Sequence, residues 1–578
     1  MTDEERSRVD RRTFLAGGVA AGGALAGAGA LGALAAAART SKKRSPGPPR
    51  AGVPNLLVIM VDQMREPLGF PAGPALGALM PNLARLQNGA VSFGSHYTAA
   101  NDCTPSRGTL VTGLYSHQTG CLVTGGSTLA PQFPTWGTLL REHGYETAWF
   151  GKWHLTSHDN RWTVGRNGHA LEKYGFSGGT YPSPDGGPGQ GWRTDPLIAS
   201  QFRSWFARAP SSKPWCATVS LVNPHDIAWW YRWSNQVATE RSAPARIRSL
   251  PANYETPSRL IAQHKPRLQL SLQQTAATGF GTVPFSGPSA LRSWLPFMNL
   301  YLKLLGEVDR HIGSVLAALA SRPHIAANTV VVFTSDHGEY AASHGLRGKG
   351  AGVYDEALRV PLSVRDLRGT LTAAPGTTRT GMTSSVDVAP LLLTLGTGSN
   401  GWRRDARYMH LAHRHDLAAM LADPHAPGRP YVLHATDEIV CEFATEPYAA
   451  NAPLHVVAIR TPAAKYALYS YWKPRTSVME NAGEERELYD YSTTPGVLEL
   501  DNVAGSSALE AGLHSQLLSA VRYELREPPP SSLLAAHNDG YADYFTTAQR
   551  TALIATAARR RIEETEAPGT AAEKLGQP

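Results

Sequence analysis

A cysteine stands at the start of a predicted helix in the stretch NDCTPSRGTLVTG, residues 101–113. Pro105 suits the first turn of a helix, and Arg107 follows Cys103 by four residues, so both side chains project from one face. The positive end of the helix dipole and the nearby guanidinium both favour a thiolate over a thiol. These residues predict a cysteine that acts as a nucleophile.

Two pairs of potential metal ligands directly follow apolar segments. Asp62 and Gln63 come after NLLVIMV, and Asp336 and His337 come after NTVVVFTS. An aspartate after a strand often caps a helix or closes a turn, which explains either carboxylate taken alone. Two such pairs, each with a second donor beside the carboxylate, favour a metal site.

These side chains require a sheet that brings them together. The apolar runs at 55–61 and 329–335 are typical of central strands in a parallel sheet covered by helices on both faces. The segments TWGTLLREHG and YLKLLGEVDRHIGSVLAALA predict such helices. Ligands of open α/β sheets bind beyond the carboxyl ends of the strands, so we expect Asp62 and Asp336 to lie close together.

The sequence changes in character from about residue 400. Segments such as LHVVAIRTPAAKYALYSYW and ERELYDYSTTP predict short antiparallel strands, and LHSQLLSAVRYEL predicts a helix. A chain of 578 residues is too long for one core. We therefore expect an N-terminal catalytic domain over 46–400, a C-terminal subdomain over 401–565 and a disordered tail over 566–578.

The N-terminus has the pattern of an export signal. Arg11 and Arg12 precede Phe14 and a long stretch of Ala and Gly, and small residues at 35–38 suit cleavage. Residues 14–38 carry no charge, so an uncleaved membrane anchor is the alternative, but Ala and Gly partition weakly into lipid. We expect a twin-arginine signal peptide and linker over 1–45, the twin-arginine translocase as a partner, and a periplasmic or extracellular location.

Composition argues against nucleic-acid binding. The formal net charge is +8, and five of the basic residues lie in the linker at 39–50 rather than along a folded face. No zinc-finger spacing or RNA-binding motif is present. The four cysteines have no repeated spacing, which excludes a disulfide scaffold and a zinc cluster; they are Cys103, Cys121, Cys216 and Cys441.

Two long motifs resemble the signatures of the sulfatase family. CTPSRGTLVTG, from residue 103, is similar to the first signature, and GYETAWFGKWHL, at 144–155, is similar to the second. The resemblance extends to PNLARLQNGA, TSDHGE, GKGAGVYDEALRVPL and RELYDYSTTPGVLELDNVA, and covers most of 54–505. It implies an alkaline-phosphatase-like α/β fold, with a mixed, mostly parallel sheet flanked by helices and a smaller C-terminal α+β domain that contains an antiparallel sheet.

The resemblance implies that Cys103 is a precursor. In sulfatases this cysteine is oxidised to Cα-formylglycine (3-oxoalanine) by a formylglycine-generating enzyme, which reads the positions of Cys103, Pro105 and Arg107. One hydroxyl of the hydrated aldehyde attacks sulfur, and deprotonation of the second then expels sulfate by carbon–oxygen cleavage.

The resemblance also implies one divalent metal ion, held by Asp62, Gln63, Asp336, His337 and the modified Cys103. Many members of the family have a second aspartate in place of Gln63 and an asparagine in place of His337. Calcium prefers oxygen ligands, whereas imidazole suits manganese and other transition ions. We expect calcium, with manganese and magnesium as the alternatives.

Further roles are implied residue by residue. Arg107 and Lys152 match the cations that hold the hydrate and the sulfate oxygens. His154 matches the histidine that deprotonates the second hydroxyl, and His225, in VNPHDI, matches the one near the leaving-group oxygen. Lys349 matches the lysine that binds sulfate and helps to protonate the leaving group. Asn101 is expected to hydrogen-bond near the nucleophile, and structural roles are expected for His96, His117 and His344.

The expected reaction is hydrolysis of a small-molecule or carbohydrate sulfate monoester to an alcohol and sulfate. A phosphonate monoester or phosphodiester hydrolase of the same superfamily is the first alternative, since it shares the formylglycine and the metal set. Such enzymes typically lack the lysine and histidine of the second signature, so Lys152 and His154 favour a sulfate ester. A catalytically inactive binding protein is the second alternative, but every motif position is kept.

A tryptophan-rich segment follows His225 in HDIAWWYRWSNQ, residues 225–236. Its aromatic rings either contact a sugar, an aryl group or a quaternary ammonium of the substrate, or pack the segment itself. They are Trp229, Trp230, Tyr231 and Trp233. Within the tryptophan-rich insertion over 227–300, residues 235–300 are expected to form the variable lid or insertion that sets specificity.

Overall fold

The described residues form three β-sheets of different size. The structure is a computed structural model that describes residues 52–66, 75–156, 169–180, 183–209, 212–230, 247–441, 446–449, 451–473, 478–526, 528 and 530–566. The predicted export signal over 1–45, most of the predicted tail and part of the tryptophan-rich segment lie outside these residues.

The larger sheet has seven strands in the order β4-β5-β1-β6-β7-β2-β8. A two-stranded sheet pairs β3 with β9, and a four-stranded sheet has the order β10-β11-β12-β13. The strands are β1 (Asn55–Asp62), β2 (Val91–Phe93), β3 (His96–Tyr97), β4 (Glu146–Gly151), β5 (Trp215–Pro224), β6 (Thr329–Ser335), β7 (Leu362–Asp366), β8 (Thr378–Arg379), β9 (Thr383–Ser384), β10 (Val432–Thr436), β11 (His455–Arg460), β12 (Ala464–Trp472) and β13 (Met479–Asp490).

Helices cover the larger sheet and one side of the four-stranded sheet. They are α1 (Leu76–Leu79), α2 (Pro81–Gln87), α3 (Cys103–Thr112), α4 (Ser116–Thr119), α5 (Trp136–Arg141), α6 (Gln190–Phe206), α7 (Pro257–Ala262), α8 (Arg267–Phe280), α9 (Gly287–Ala320), α10 (Pro323–Ala326), α11 (Asp355–Leu358), α12 (Val388–Thr397), α13 (Leu417–Ala422), α14 (Thr494–Val497), α15 (Glu510–Glu524) and α16 (Leu534–Glu566).

The centre of the larger sheet is parallel and buried on both faces. Strands β4, β5, β1 and β6 run parallel, and every residue of β1, β5 and β6 is buried. Alternate residues of β1 face opposite layers: Leu57 and Ile59 join the core that contains α9, and Leu56 and Val58 join the core that contains α5 and α12. This confirms the prediction of central strands covered on both sides. The sheet is mixed because β7 pairs antiparallel with β6 and with β2.

The carboxyl ends of the four parallel strands meet at one edge of the sheet. β1 ends at Asp62, and β6 ends one residue before Asp336. β4 ends directly before Lys152, and β5 ends directly before His225. Because parallel strands end at the same edge, the fold brings together side chains that are far apart along the chain.

The predicted antiparallel strands beyond residue 400 are confirmed. β10, β11, β12 and β13 pair antiparallel in sequence order. α15 packs Leu513 and Leu517 against Val457 and Ile459 on one face of this sheet. The domain boundary near residue 400 stays a prediction. Among the described residues, no helix is both long and apolar enough to cross a membrane.

A buried ionic cluster joins α15 to the segments that surround the larger sheet. Arg414 donates to Glu524 and also to the carbonyl of Gly113, which ends α3, at 2.7 Å. Arg429 binds Asp387 at 2.5 Å and lies 3.5 Å from Glu524. Buried carboxylates and guanidinium groups that satisfy one another in this way lose much of their stabilisation when one charge is removed.

Replacing Glu524 with glutamine is expected to lower the free energy of unfolding by about 3 kcal/mol near neutral pH. Burial alone would raise the pKa of Glu524, but the His413 imidazole, 3.7 Å from the carboxylate, and the charges of Arg414 and Arg429 lower it from the ordinary 4.5 to about 2. The carboxylate therefore stabilises the fold fully above about pH 4.5, and this contribution is lost as the pH falls towards about 2.

Urea denaturation of both proteins from about pH 7 down to about pH 3 measures this effect as a difference that shrinks with acid. Glu510 on the same helix, which lies 3.4 Å from Arg486, provides a control substitution with a small expected effect. If the difference in free energy of unfolding between the parent and the Glu524→Gln variant does not change with pH, Glu524 is not the ionised group that stabilises this cluster.

Candidate active site

Cys103 is the first residue of α3 and is completely buried. The carboxylate of Asp102 caps the helix by accepting the Cys103 backbone N–H at 2.8 Å. Asp102 has φ 107° and ψ 155°, a backbone conformation that is otherwise almost confined to glycine. The prediction that a helix begins at the cysteine is confirmed, and a strained residue directly precedes it.

Four potential ligands converge on one point at the carboxyl edge of the sheet. Donor atoms of Asp62, Cys103, Asp336 and His337 all lie within 4.8 Å of one another, and all four residues are buried. The Cys103 Sγ atom lies 3.1 Å from His337 Nε2 and 3.8 Å from Asp62 Oδ1. Two carboxylates and an imidazole beside the cysteine form a donor set that fits a divalent cation.

Gln63 lies beside this group and joins it to a carboxylate that sequence reasoning missed. Its backbone N–H donates to Asp336 Oδ1 at 3.1 Å, and its side-chain amide donates to Glu339. Glu339 also accepts the backbone N–H groups of Ala341 and Gly348, at 2.9 and 2.7 Å. Burial raises the pKa of Glu339. The only available sequence signal was its position three residues after Asp336.

Arg107 links the two carboxylates of the group. Its guanidinium donates to Asp336 Oδ2 at 2.8 Å, Asp62 Oδ2 at 2.9 Å, the carbonyl of Lys152 at 2.7 Å and the hydroxyl of Ser220 at 3.1 Å. All of these groups are buried, so the charges interact in a water-poor environment. Arg107 therefore fixes the spacing of Asp62 and Asp336.

Lys152 places a second positive charge beside the nucleophile. Its ammonium lies 2.7 Å from Asp62 Oδ2 and 3.5 Å from Cys103 Sγ. Burial alone would raise the pKa of Asp62, but Lys152, His225 and Arg107 lower it well below its ordinary value. Asp62 is therefore an ionised carboxylate despite complete burial.

A lysine and a histidine form a pair beside Gln63 and Asp102. Lys349 Nζ lies 3.2 Å from His225 Nε2, 3.1 Å from Gln63 Oε1 and 3.9 Å from Asp102 Oδ1. All four residues are buried. Such a pair can donate a proton to an oxygen atom that lies between the pair and the nucleophile.

His154 and Asn101 lie on the two chain segments that flank the nucleophile. His154 is half-buried, has φ 56°, and its carbonyl accepts the Thr104 hydroxyl at 2.9 Å. The side-chain amide of Asn101 donates to the carbonyls of Gly350 and Gly352 at 3.3 and 3.2 Å. Asn101 thus ties the segment before Cys103 to the loop that carries Lys349.

The three histidines expected to be structural have partners of their own. His96 lies 2.9 Å from the Thr383 hydroxyl, and His344 lies 2.7 Å from Glu255. His117 and His455 both bind Asp437, at 2.5 and 2.9 Å. The four cysteines form no disulfide with one another.

The first two tryptophans of the tryptophan-rich segment pack inside the protein. The ring centroids of Trp229 and Phe280 lie 6.2 Å apart in an edge-on arrangement, and those of Trp230 and Phe297 lie 5.4 Å apart. Both indoles are buried, which favours the packing interpretation for these two residues. Tyr231 and Trp233 lie outside the described residues.

Comparisons with known proteins point to one family. The Sulfatase family model matches residues 54–399. The chain is 28% identical over 340 residues to the uncharacterized sulfatase YidJ of Escherichia coli (strain K12), a match that covers 55% of this chain and 63% of YidJ. It is 26% identical over 497 residues to choline-sulfatase of Rhizobium meliloti (strain 1021), which covers 78% of this chain and 83% of that protein.

A solved structure supports the same fold. The phosphonate monoester hydrolase SpPMH from Silicibacter pomeroyi superposes with a TM-score of 0.59 at 23% identity, covering 83% of this chain and 97% of that one. The chain spans less than two thirds of the length of YidJ. Because the family match includes all seven strands of the sheet that carries the site, the chain belongs to the sulfatase family, with the alkaline-phosphatase-like fold.

Proposed function

We propose that the protein hydrolyses a sulfate monoester to an alcohol and inorganic sulfate through a formylglycine hydrate made from Cys103. The main support for this proposal is the set of polar groups around the Cys103 side chain. Its sulfur lies within 3.5 Å of Lys152 Nζ and within 3.1 Å of His337 Nε2. A nucleophile in this position can attack a sulfate group whose oxygens are held by fixed positive charges.

The conversion of Cys103 is assigned to a formylglycine-generating enzyme that acts before the chain folds. The thiol is completely buried in the folded protein, so a second enzyme has no access to it there. Twin-arginine export of an already folded protein then follows modification in the cytoplasm. The proposed destination is the periplasm or the extracellular space.

The proposed reaction has two halves. One hydroxyl of the hydrate attacks sulfur, the sulfur–oxygen bond to the alcohol breaks, and the pair of Lys349 and His225 protonates the departing oxygen. His154 then takes the proton of the second hydroxyl, and the carbon–oxygen bond to the sulfate group breaks, which releases sulfate and leaves the aldehyde. Water then adds to the aldehyde and regenerates the hydrate. Arg107 and Lys152 stabilise the negative charge of the sulfate group throughout.

A divalent cation completes the site. Asp62, Gln63, Asp336 and His337 would hold it, and calcium is the proposed ion because three of these four side chains offer oxygen ligands. When bound, such an ion polarises a sulfate oxygen and favours ionisation of the attacking hydroxyl. Manganese is the alternative that the imidazole of His337 supports, and magnesium is a further one.

Hydrolysis of a phosphonate monoester or phosphodiester is the second candidate function. The similarity in fold to the phosphonate monoester hydrolase supports it. The position of Lys152 favours the sulfate ester, because its ammonium contacts both Asp62 and Cys103 and is thus part of the site. Turnover of 4-nitrophenyl sulfate is compared with that of the matching phosphodiester and phosphonate, using protein co-expressed with a formylglycine-generating enzyme.

Peptide mass spectrometry across residue 103 accompanies that comparison. Formylglycine is expected to lower the peptide mass by about 18 Da relative to cysteine, whereas an inactive binding protein would keep the thiol. Preferred turnover of the phosphonate would replace the proposal by the second candidate. Absence of turnover with an unmodified cysteine would favour a binding role.

Removing the metal ion is expected to lower kcat/KM by at least about 100-fold. The melting temperature should also fall, because Asp62 and Asp336 then face each other with fewer positive charges between them. Activity and melting curves are recorded after chelation and after addition of calcium, manganese or magnesium. Full activity in chelated protein with negligible ion content would contradict the metal site.

A further inference from the structure

A short glycine-rich loop, residues 183–189, lies directly against the active site. Gly186 has φ 94°, and a Cβ atom on it would lie 2.6 Å from His225 Cε1, 2.8 Å from His225 Nδ1 and 2.9 Å from Lys152 Nζ. These distances are shorter than van der Waals contact. The backbone at Gly186 therefore touches the imidazole of His225 and the ammonium of Lys152, and only glycine leaves room for both.

Two side chains hold this loop in place. The side-chain oxygen of Gln190 accepts three consecutive backbone N–H groups, those of Asp185 at 3.0 Å, Gly186 at 2.8 Å and Gly187 at 3.0 Å. On the other side, the carbonyl of Gly186 accepts the indole N–H of Trp229 at 2.5 Å. Four hydrogen bonds thus fix the position of the backbone at Gly186.

The residues that follow Gln190 also contact the segment that carries His225. Gln190 is the first residue of α6, and the next two backbone N–H groups, of Gly191 and Trp192, donate to the Asp226 carboxylate at 3.0 and 2.9 Å. Asp226 directly follows His225 in the chain. The loop, the start of α6 and the segment that carries His225 therefore form a closed ring of contacts.

We propose that the loop 183–189 is a positioning device for the leaving-group acid, in which Gly186 and Gln190 hold His225 against Lys349. This inference rests on the proposed function, in which that pair protonates the departing oxygen. The need for this proton depends on the alcohol: nitrophenolate leaves readily without it, whereas an alkoxide does not. The loop would thereby determine whether esters of weakly acidic alcohols, such as alkyl or sugar sulfates, are substrates.

The test compares two substrates on matched variants. In Gly186→Ala, the added Cβ atom would displace both His225 and Lys152, so kcat/KM is expected to fall about 100-fold for a primary alkyl sulfate and only about tenfold for 4-nitrophenyl sulfate, which loses the help of Lys152 but does not need the proton. Gln190→Ala is expected to lower the alkyl rate about tenfold, and Gln190→Glu to restore it, because a carboxylate keeps the acceptor oxygen. Gly369→Ala is the control, since Gly369 also has a positive φ, 69°, but no atom within 4 Å of its added Cβ.

Melting curves and mass spectrometry of residue 103 confirm that each variant is folded and modified. Equal losses for both substrates in Gly186→Ala and Gln190→Ala would overturn the inference, because a loop with a purely structural role affects them alike. If the parent enzyme, with formylglycine at residue 103, prefers phosphonate monoesters, the proposed function fails. The inference about the loop is then tested by comparing kcat/KM of the same variants on nitrophenyl and alkyl phosphonates.

Discussion

Replacement of Cys103 by alanine is expected to abolish ester hydrolysis, with a fall in kcat of at least about 1000-fold. Alanine offers no atom that can become the formylglycine hydrate, while Asp62, Lys152 and the rest of the site stay in place. Thermal melting should change little, because the Cys103 side chain is small and contacts mainly polar groups. Initial rates on 4-nitrophenyl sulfate, measured beside the parent protein, provide the readout.

The Cys103→Ser variant gives a sharper result than the alanine variant. Serine has one hydroxyl, which can accept the sulfate group and release the alcohol once. It lacks the second hydroxyl that expels sulfate, so the enzyme should stop as a covalent sulfate ester about 80 Da heavier. Cys216→Ala, which removes a buried thiol from β5 away from the site, should keep full turnover. Rapid turnover by protein with an intact thiol at residue 103 would contradict the mechanism.

Replacement of Arg107 by alanine is the second change with a large expected effect. Its guanidinium holds both Asp62 and Asp336, so its loss leaves two adjacent buried carboxylates without that counter-charge. We expect the free energy of unfolding to fall by about 3–5 kcal/mol. We also expect kcat/KM to fall by at least about 100-fold, because a fixed cation beside the sulfate group is lost.

The Arg107→Lys variant distinguishes the effect of the positive charge from the effect of the guanidinium hydrogen bonds. Lysine keeps the positive charge but carries three donors on one nitrogen, in place of the planar guanidinium that reaches four acceptors, so stability and activity should lie between those of the parent and the alanine variant. Arg365→Ala, on β7 and donating to the Arg85 carbonyl, is the control. Mass spectrometry of residue 103 distinguishes lost catalysis from failed maturation. An alanine variant with parental stability and turnover would show that Arg107 does not clamp the two carboxylates.

Much of the site was predictable because each part carries a local signal. Apolar runs without polar interruption indicate strands buried on both faces, which places Asp62 and Asp336 at a carboxyl edge of the sheet. Pro105 and the spacing of Arg107 indicate that a helix begins at Cys103. The structure confirms these elements and brings both carboxylates to the cysteine.

Other parts had no local signal. Gly186 lies in a stretch that predicts only a loop, and its importance depends on His225 and Lys152, which reach it from two different strands. Gln190 lies near the end of the same stretch rich in Gly and Pro, and nothing local indicates that its side chain accepts three backbone N–H groups. No local pattern indicates that Glu339 is buried against Gln63.

The amino-acid sequence by itself thus determined the elements and the types of chemical group: buried strands, a helix that begins at the cysteine, two carboxylates and a set of cations. Local pattern decides these features, because burial and helix geometry impose a short period on the chain. Only the tertiary structure decided which groups touch. The order of strands in the sheet sets β1 between β5 and β6, and contacts such as Lys349 with His225 or Gly186 with His225 follow from that order, which no short stretch of sequence encodes.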